Sequence, residues 1–363
     1  MSQRQIIRTF ETWRAQGQAM VLATVFDTIG STYSKAGHRI LIAANSDYQG
    51  LVSGGCLEGD LAERARAVIE RDEAAAVTYD MRGEADELFG LGVGCNGLIR
   101  VFLQPLQPAQ DYQPFASMVR RLLAHRRAVV ATVIESTRPG VAPGGTLIFE
   151  EGGARETHGL DAAAADALAT ECERVLKEGE NRYAMDDSGL GVLYATLEPI
   201  PKLLLLGGGL DAVPLAGMAS DLGWRVTVAD HRPGYIQRGG FERAERALHV
   251  DPDRLPEQLP LAEFDAVVVM SHHLATDRKY LGHLARVSPR YVGILGPRAR
   301  KERLLEDLGE GGAPLRDRLK GPVGLDIGAD TPESIALSIL AELQATLAGA
   351  TVESLTKSKR AAP

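Results

Sequence analysis

Cysteine is scarce in this chain, with 3 residues among 363, at positions 56, 95 and 172. They lie far apart and none belongs to a CxxC pair, so a disulfide framework is not expected and the thiols suit a reducing compartment such as the cytoplasm. Without a CxxC motif or a nearby histidine pair, a structural zinc site is not favoured either. The thiols are therefore free for chemistry.

Other absences narrow the class of protein. No run of about 18 apolar residues occurs, so no membrane span is predicted. The N-terminal segment MSQRQIIRTFETWRAQGQ has the pattern of an amphipathic helix and lacks the apolar core and cleavage site of a signal peptide. The net charge of -8 and the lack of a basic block argue against nucleic acid as a partner. What is left is a globular chain long enough for two or three domains.

The first half of the chain contains a degenerate internal repeat. VLATVFDT at 21–28 recurs as VVATVIES at 129–136, and at the same offset Gly37 falls on Gly145 and Ile40 on Ile148. Each block has the pattern of strand, turn and strand, followed by a helical stretch and a last strand that leads to a proline. We therefore predict two copies of one α/β unit.

From Pro201 onward the pattern changes to buried strand, glycine turn, helix and strand, beginning with KLLLLGGGLDAVPLAGMASDLGWRVTVAD. Further short apolar strands alternate with helices, which is typical of a doubly wound parallel sheet. The predicted fold class is α/β, with a duplicated N-terminal α/β unit followed by a C-terminal Rossmann-like doubly wound domain. The predicted domains are residues 1–108 with the cysteine loops, 109–199 as a degenerate and structural second copy, 200–350 as the Rossmann-like domain, and 351–363 as a disordered tail.

A dinucleotide-type loop opens the C-terminal domain. Gly207, Gly209 and Ala212 form GxGxxA between a strand and a helix, and Asp230 ends the next strand. Glycines let the backbone approach a phosphate, and the helix N-terminus supplies free N–H groups. We predict that Gly207, Gly209 and Asp230 bind a phosphate or nucleotide; a tight turn that binds nothing is the alternative. Asp211, in the first helical turn, would repel an anion unless it points away.

Polar side chains follow the neighbouring strands of this domain. His272 and His273 lie after DAVVVM, at the edge where such folds bind ligands, and with Asp277 they are candidates for contact with a substrate. A solvated histidine pair is the alternative. His231 and Arg232, next to Asp230, favour an additional phosphate over a bare ribose.

Two cysteines lie in glycine-rich loops of the first copy. Cys56 follows Gly54 and Gly55 and precedes a predicted helix, whose N-terminus stabilises a thiolate. Cys95 lies in GLGVGCNG, where Gly94 and Gly97 favour a loop close to a ligand. Two open alternatives are a metal site and a pair of buried cysteines that pack as small apolar groups. The second copy repeats neither GGC nor GCNG, and its Cys172 falls in a predicted helix.

Several motifs together resemble the XdhC/CoxI family of maturation factors for molybdenum hydroxylases such as xanthine dehydrogenase and carbon monoxide dehydrogenase. They are GSTYSKAG, GLVSGGCLEGDL, GLGVGCNGLIRVFLQPL, GGGLDAVPLAGMASDLGWRVTVADHRPGY, SHHLATDRKYL, YVGILGPRARKERL and PVGLDIGADTPESIALSILAEL. The resemblance covers most of the chain. It implies a protein that binds molybdenum cofactor, as molybdopterin or its dinucleotide form, and protects it while a cysteine desulfurase replaces a metal oxygen by sulfur. The sulfurated cofactor then passes to the apo-hydroxylase.

The resemblance also implies roles for particular residues. Cys56 and Cys95 match the family's cysteine positions and would contact the molybdenum end or relay sulfur, which agrees with the preference of a soft metal for thiolates. Gly207 and Gly209 would seat the pterin phosphate or its nucleotide. The expected assembly is a homodimer.

Departures from the family pattern leave other functions open. Many members have GSxPRxxG where this chain has GSTYSKAG, which leaves Lys35 as the nearby cation, and GCNG replaces the commoner CGG. One rival function is a nicotinamide-dependent oxidoreductase using NAD(P). The Rossmann loop and Asp230 support it, but the sequence identifies no residue as a proton donor. Another is a regulatory or scaffold protein, which fits the degenerate second copy.

Overall fold

In the computed structural model, which describes residues 3–82 and 97–353, the chain divides after Ile200 into two units. Each unit is described by itself. Within the described ranges, no helix is both long enough and apolar enough to cross a membrane.

The first unit contains four helices and ten strands within its described residues. The elements are α1 Gln3–Ala15, β1 Met20–Gly30, β2 Arg39–Ala43, β3 Tyr48–Gln49, α2 Glu58–Arg71, β4 Ala75–Asp80, β5 Gly97–Leu106, α3 Phe115–Leu123, β6 Ala128–Ser136, β7 Thr146–Glu150, β8 Arg155–His158, α4 Ala162–Glu178, β9 Arg182–Met185 and β10 Leu190–Leu197. A single 3₁₀ turn, Pro108–Gln110, precedes α3.

The two sheets of this unit have the same topology. Their strand orders are β3-β2-β1-β5-β4 and β8-β7-β6-β10-β9, all antiparallel. Both carry the same β-bulge: the pairing of β1 with β5 skips Phe26, and that of β6 with β10 skips Ile134, 108 positions later. The predicted duplication is therefore confirmed down to an irregularity of the backbone.

The offset predicted for the turn after the first strand is wrong by one residue. Gly37 donates its N–H to the Val25 carbonyl at 2.8 Å, and the residue that makes the same bond in the second copy, to Val133, is Gly144 and not Gly145. Likewise the second-copy counterpart of Ile40 is Leu147 and not Ile148, because Ile40 and Leu147 both face the helix of their own copy. The second copy is one residue shorter than the first between its first two strands.

Alternation along the strands explains how the layers form. Val21 and Ala23 face α2, whereas Met20 and Leu22 face the opposite way and pack against the second sheet together with α1 and α3. The second sheet packs α4 on its outer face in the same manner. The unit is thus a four-layer arrangement of helix, sheet, sheet and helix.

Reciprocal contacts join the two copies. Gly37 lies against Asn181 and Ala195 of the second copy, and Gly144 lies against Ala74 and Gln104 of the first. The Asn181 side chain donates to the Ala36 carbonyl and the Gln104 side chain to the Gly144 carbonyl, each at 2.8 Å. The copies therefore meet as the two halves of a symmetric dimer do, within one chain.

The second unit alternates strands and helices. Its elements are β11 Lys202–Leu206, α5 Ala212–Asp221, β12 Arg225–Asp230, α6 Pro233–Gln237, β13 Arg246–His249, α7 Leu255–Gln258, β14 Ala266–Val269, α8 Leu274–Leu284, β15 Tyr291–Ile294, α9 Arg298–Leu308, β16 Leu319–Lys320 and α10 Pro332–Leu347. Short 3₁₀ segments lie at Pro252–Arg254, Leu261–Glu263 and Gly309–Leu315.

The six strands of this unit form one parallel sheet in the order β13-β12-β11-β14-β15-β16. Helices α5 and α10 cover one face, and α7, α8 and α9 cover the other. This confirms the predicted doubly wound domain. The strand order reverses between β11 and β14, so the crevice for a ligand lies between the loops that follow these two strands.

Candidate functional site

Cys56 lies on a glycine loop directly before α2. Gly54 and Gly55 have φ values of +83° and +119°, a region that side chains disfavour, and they bring the chain sharply round to the helix. The thiol is partly exposed, and Leu57 is the N-cap residue of α2. The helix N-terminus, with its positive dipole end, therefore begins one residue after the thiol.

Glu58, which the sequence pattern did not single out, holds this loop in place. Its side chain is fully buried; one carboxylate oxygen accepts from the N–H groups of Val52 (2.6 Å) and Ser53 (2.9 Å), and the other accepts from the Ser53 hydroxyl (2.9 Å). The Ser53 oxygen in turn accepts from the Leu57 N–H at 2.8 Å. Burial alone would raise the pKa of Glu58, but these hydrogen bonds outweigh it and keep that pKa below its usual range.

A further loop of the first copy, segment 30–37, adjoins the Cys56 loop. The Tyr33 ring, 62% exposed, lies 3.8 Å from the position that a Cβ on Gly54 would take. A Cβ on Gly97, at the start of β5, would lie 2.5 Å from the Ser31 carbonyl oxygen and against Thr32. Segment 30–37 therefore touches both the GGC loop and the start of β5. The predicted site residues Cys95 and Gly94 lie outside the described residues.

Cys172 has a different environment. It is fully buried on α4 in the core of the second copy, and burial raises the pKa of its thiol to about 12. Helix α4 begins with an ordinary cap instead of a thiol loop, since the Asp161 side chain accepts from the Ala164 N–H at 2.8 Å. A thiol of this kind is a packing group.

We expect Glu58→Gln to lower the free energy of unfolding of the first unit by about 1 to 3 kcal/mol at pH 7, because a buried, charge-assisted set of hydrogen bonds is lost. Since the pKa of Glu58 is depressed in the folded state, its contribution is present above the unfolded pKa of about 4.3 and is lost as the pH falls. Urea unfolding at pH 7 and below pH 4 measures this. The exposed Glu63→Gln on the same helix is the control; equal effects of the two changes would contradict the role of Glu58.

In the second unit, Gly207 serves the sheet itself. Its φ is +138°, and a Cβ there would run into the carbonyl of Met270, at the end of β14. Gly208 has room for a Cβ, whose nearest neighbour would be Ile236 at 3.4 Å. The close approach that requires glycine at 207 is therefore between two pieces of this chain.

We expect Gly207→Ala to destabilise the second unit by about 2 to 4 kcal/mol, because the new methyl group meets backbone that side-chain rotation cannot move. Gly208→Ala, one residue along the same loop, should change stability by less than about 1 kcal/mol. Thermal unfolding of both variants measures the difference. Equal melting temperatures for the two variants would contradict this account of the loop.

Asp230 is fully buried at the end of β12 and braces the glycine loop. One oxygen accepts from the Gly208 N–H at 2.7 Å and from Arg232 at 2.9 Å, and the other accepts from the Arg232 N–H at 2.7 Å and its Nε at 3.0 Å. Burial would raise the pKa of Asp230, but the bonds from Arg232 and Gly208 lower it further than burial raises it. Both carboxylate oxygens of Asp230, the residue predicted to bind a nucleotide, are thus engaged in hydrogen bonds within the protein.

Asp211 points toward the loop, the orientation that is unfavourable for an anion. A Cβ on Gly209 would lie against its Oδ1 atom. Its Oδ2 atom lies 2.7 Å from Nε2 of His272, which follows β14. His272 is 58% exposed and has a φ of +60°, a conformation that non-glycine residues rarely adopt. This contact between Asp211 and His272 spans the crevice where the strand order reverses.

Two of the other predicted polar residues of this edge lie close together, with the ring centres of His231 and His273 5.8 Å apart. His273 is the N-cap residue of α8, with its Nδ1 atom 2.9 Å from the Thr276 hydroxyl. Asp277 is buried and accepts from Arg300, a residue that the sequence pattern did not single out, at 2.5 Å. Among residues 3–82 and 97–353, no group of three or more His, Cys, Asp or Glu side chains is placed to hold a metal ion.

The fold and the site define a class of protein with two units. One is a duplicated α/β unit that carries a thiol on a glycine loop, and the other is a Rossmann-like domain. Two family descriptions match this chain: "XdhC and CoxI family" over residues 13–80 and "XdhC Rossmann domain" over residues 203–343. A Bacillus subtilis protein described as a probable subunit of xanthine dehydrogenase is 33% identical over 324 residues, which is 89% of this chain and 92% of that protein. The chain belongs to the XdhC and CoxI family.

Two further proteins are similar over nearly the whole chain. The molybdenum cofactor insertion chaperone PaoD of Escherichia coli is 23% identical over 342 residues, 94% of this chain and 87% of that protein. A crystal structure described as a xanthine dehydrogenase from Bacillus halodurans matches with a TM-score of 0.77 and 28% identity, covering 100% of this chain and 98% of the other. The similarity thus extends over both units.

Proposed function

We propose that this protein is a maturation factor that binds molybdenum cofactor as its cargo, protects it during sulfuration and delivers it to an apo molybdenum hydroxylase of the xanthine or carbon monoxide dehydrogenase type. Cys56, and Cys95 with it, contact the molybdenum end. The second copy, residues 109–199, is structural. The partners are the apo-hydroxylase, a cysteine desulfurase and a second copy of the same chain, in a cytoplasm that keeps the thiols reduced.

The observation that carries the proposal is the setting of Cys56. Its thiol, a group that binds soft metals, is partly exposed on a glycine loop beside a helix N-terminus. The buried carboxylate of Glu58 fixes that loop. Soft thiolate ligands suit a molybdenum–sulfur centre better than they suit a hard cation. A cysteine that served only for packing would resemble Cys172, which is fully buried.

The relatives support the same function. PaoD is named as a molybdenum cofactor insertion chaperone, and family membership makes a shared cargo the simplest proposal for this chain. The exposed Tyr33 ring beside Gly54 adds an aromatic face next to the thiol loop, and an aromatic face suits a flat heterocycle such as a pterin. Gly54, Gly55 and Gly94 are proposed as the backbone that lets the cofactor approach. Gly97, predicted for the same role, is required by a close approach within the chain, since a Cβ there would lie 2.5 Å from the Ser31 carbonyl oxygen.

The rival proposal is a nicotinamide-dependent oxidoreductase that binds NAD(P) at the Rossmann loop. Its sequence support rests on the Rossmann loop and on Asp230 as the ribose ligand. In the folded chain Asp230 is fully buried, and both of its oxygens accept hydrogen bonds from Gly208 and Arg232, so it has no exposed oxygen to offer a ribose. The binding of a phosphate or nucleotide by Gly207 and Gly209 stays a prediction.

The test is to purify the protein from cells that make molybdenum cofactor and from cells that cannot. We expect about one molybdenum and one pterin per chain from the first and neither from the second, together with activation of an apo-hydroxylase by the loaded protein. Turnover of NAD(P)H with no pterin retained would instead support the rival. Chains that carry neither ligand and activate nothing would support the scaffold alternative.

A further inference from the structure

We infer that Asp211 excludes the pyrophosphate of a dinucleotide from the Rossmann loop, so that this unit keeps the fold of a dinucleotide-binding domain without its usual ligand. The inference is independent of the function proposed for the thiol loop. Asp211, held by His272, then determines which ligands can bind in the crevice between the loops that follow β11 and β14.

The first observation is the position of the Asp211 carboxylate. In a GxGxxA loop the second glycine, here Gly209, leaves room for the pyrophosphate to approach the backbone. In this chain the space beside Gly209 is taken by Oδ1 of Asp211. The Asp211 side chain is only 20% exposed. A pyrophosphate entering here would meet both a steric obstacle and a like charge.

The second observation is that the Gly208 peptide and Asp230, the expected ribose ligand, are already engaged within the chain. The Gly208 N–H, one of the loop's donors, donates a hydrogen bond to the buried Asp230 at 2.7 Å. The Gly208 carbonyl accepts from Arg238 at 2.7 Å. Asp230, the acidic residue expected to bind the ribose hydroxyls, is fully buried and paired with Arg232. The Gly208 peptide and Asp230 are therefore satisfied by groups of the same chain.

The third observation is the partner that holds Asp211 in place. His272 lies on the far side of the crevice, after β14, and its Nε2 atom is 2.7 Å from Asp211 Oδ2. The backbone of His272 is in the left-handed region, with φ at +60°, a strained conformation that concentrates at functional sites. The contact with His272 thus holds the Asp211 carboxylate beside Gly209, where the pyrophosphate would have to approach.

The same reasoning applies to a phosphate monoester. It would meet the same carboxylate over Gly209. In place of the predicted binding at Gly207 and Gly209, we therefore expect the phosphate end of a pterin cofactor to bind elsewhere on the protein. Asp211 makes no side-chain cap bond to the start of α5, so its removal takes no cap from that helix. Variants at this position are therefore suitable probes of binding.

The experiment is calorimetric titration of NAD⁺, NADP⁺ and inorganic pyrophosphate into the full chain. We expect no measurable binding to the wild type, and binding at least about tenfold tighter in Asp211→Ala, where charge and bulk are both removed. Asp211→Asn keeps the bulk and separates the two effects. Asp221→Ala, at the exposed end of the same helix and paired with Arg243, removes an equal charge away from the loop and should bind nothing.

Two outcomes would overturn the inference. The first is tight binding of any of the three ligands to the wild type that Gly209→Val abolishes, which would place a pyrophosphate at the loop despite Asp211. The second is no binding to Asp211→Ala when its unfolding curve matches the wild type, which would show that Asp211 is not the excluding residue. Neither result bears on pterin retention by Cys56, which is measured separately.

Discussion

Replacement of Cys56 by serine is expected to lower activation of the apo-hydroxylase by more than about 100-fold while leaving the fold intact. Loss of a metal-contacting thiol should exceed the 10- to 100-fold cost typical of residues that only support a metal ligand. Because Cys56 is only partly buried and serine is close to cysteine in size, the melting temperature should stay within about 2 °C of the wild type. Activation assays and thermal unfolding of one preparation measure both quantities.

Cys172→Ser is the matched control, because it makes the same chemical change in the second copy. It places a hydroxyl in the fully buried core around α4, which should cost about 1 to 3 kcal/mol and lower the melting temperature by about 5 °C. Activation should be retained. The reverse pattern, with activity lost in Cys172→Ser and kept in Cys56→Ser, would place the chemistry in the second copy and contradict the proposal.

The second large effect is expected from Asp230→Ala in the Rossmann-like unit. The change removes the acceptor for Gly208 and leaves the Arg232 guanidinium without its carboxylate. Loss of one partner of a buried ion pair costs about 3 to 5 kcal/mol, and we expect the lower end because the Arg232 side chain is 30% exposed. Urea unfolding of wild type and variant, followed by a signal from the second unit, measures the change in the free energy of unfolding.

Asp221→Ala serves again as the control for Asp230→Ala. Its ion pair with Arg243 lies between two exposed side chains, and such pairs contribute about 0 to 1 kcal/mol. If Asp230→Ala were no more destabilising than Asp221→Ala and nucleotide binding were lost instead, Asp230 would be a ligand-binding residue and not a brace for the loop.

Much of the fold was predictable from the sequence because it depends on patterns with a fixed period. The likeness of VLATVFDT to VVATVIES predicted the duplication, and the run KLLLL predicted a central parallel strand. The turn at Gly37 was misaligned by one residue, because Gly144 and Gly145 are adjacent and side-chain pattern alone cannot choose between them. Only the hydrogen bond to Val133 decides the register.

The candidate site was less predictable, and for a physical reason. A glycine is required equally where a ligand approaches and where another segment of the same chain approaches, so the sequence could not show that Gly207 meets the Met270 carbonyl. Glu58 was missed because a glutamate in the first turn of a helix usually faces solvent. Its partners, Val52 and Ser53, become neighbours only once the loop turns at Gly54 and Gly55.

The most direct test of the central claim is X-ray absorption at the molybdenum edge of the cofactor-loaded protein, compared between wild type and Cys56→Ser. If Cys56 contacts the metal, the wild type should show a protein sulfur ligand in addition to the pterin sulfurs, and the variant should show one sulfur fewer or retain no molybdenum. Equal molybdenum content with identical spectra would contradict the assignment of Cys56 to the metal.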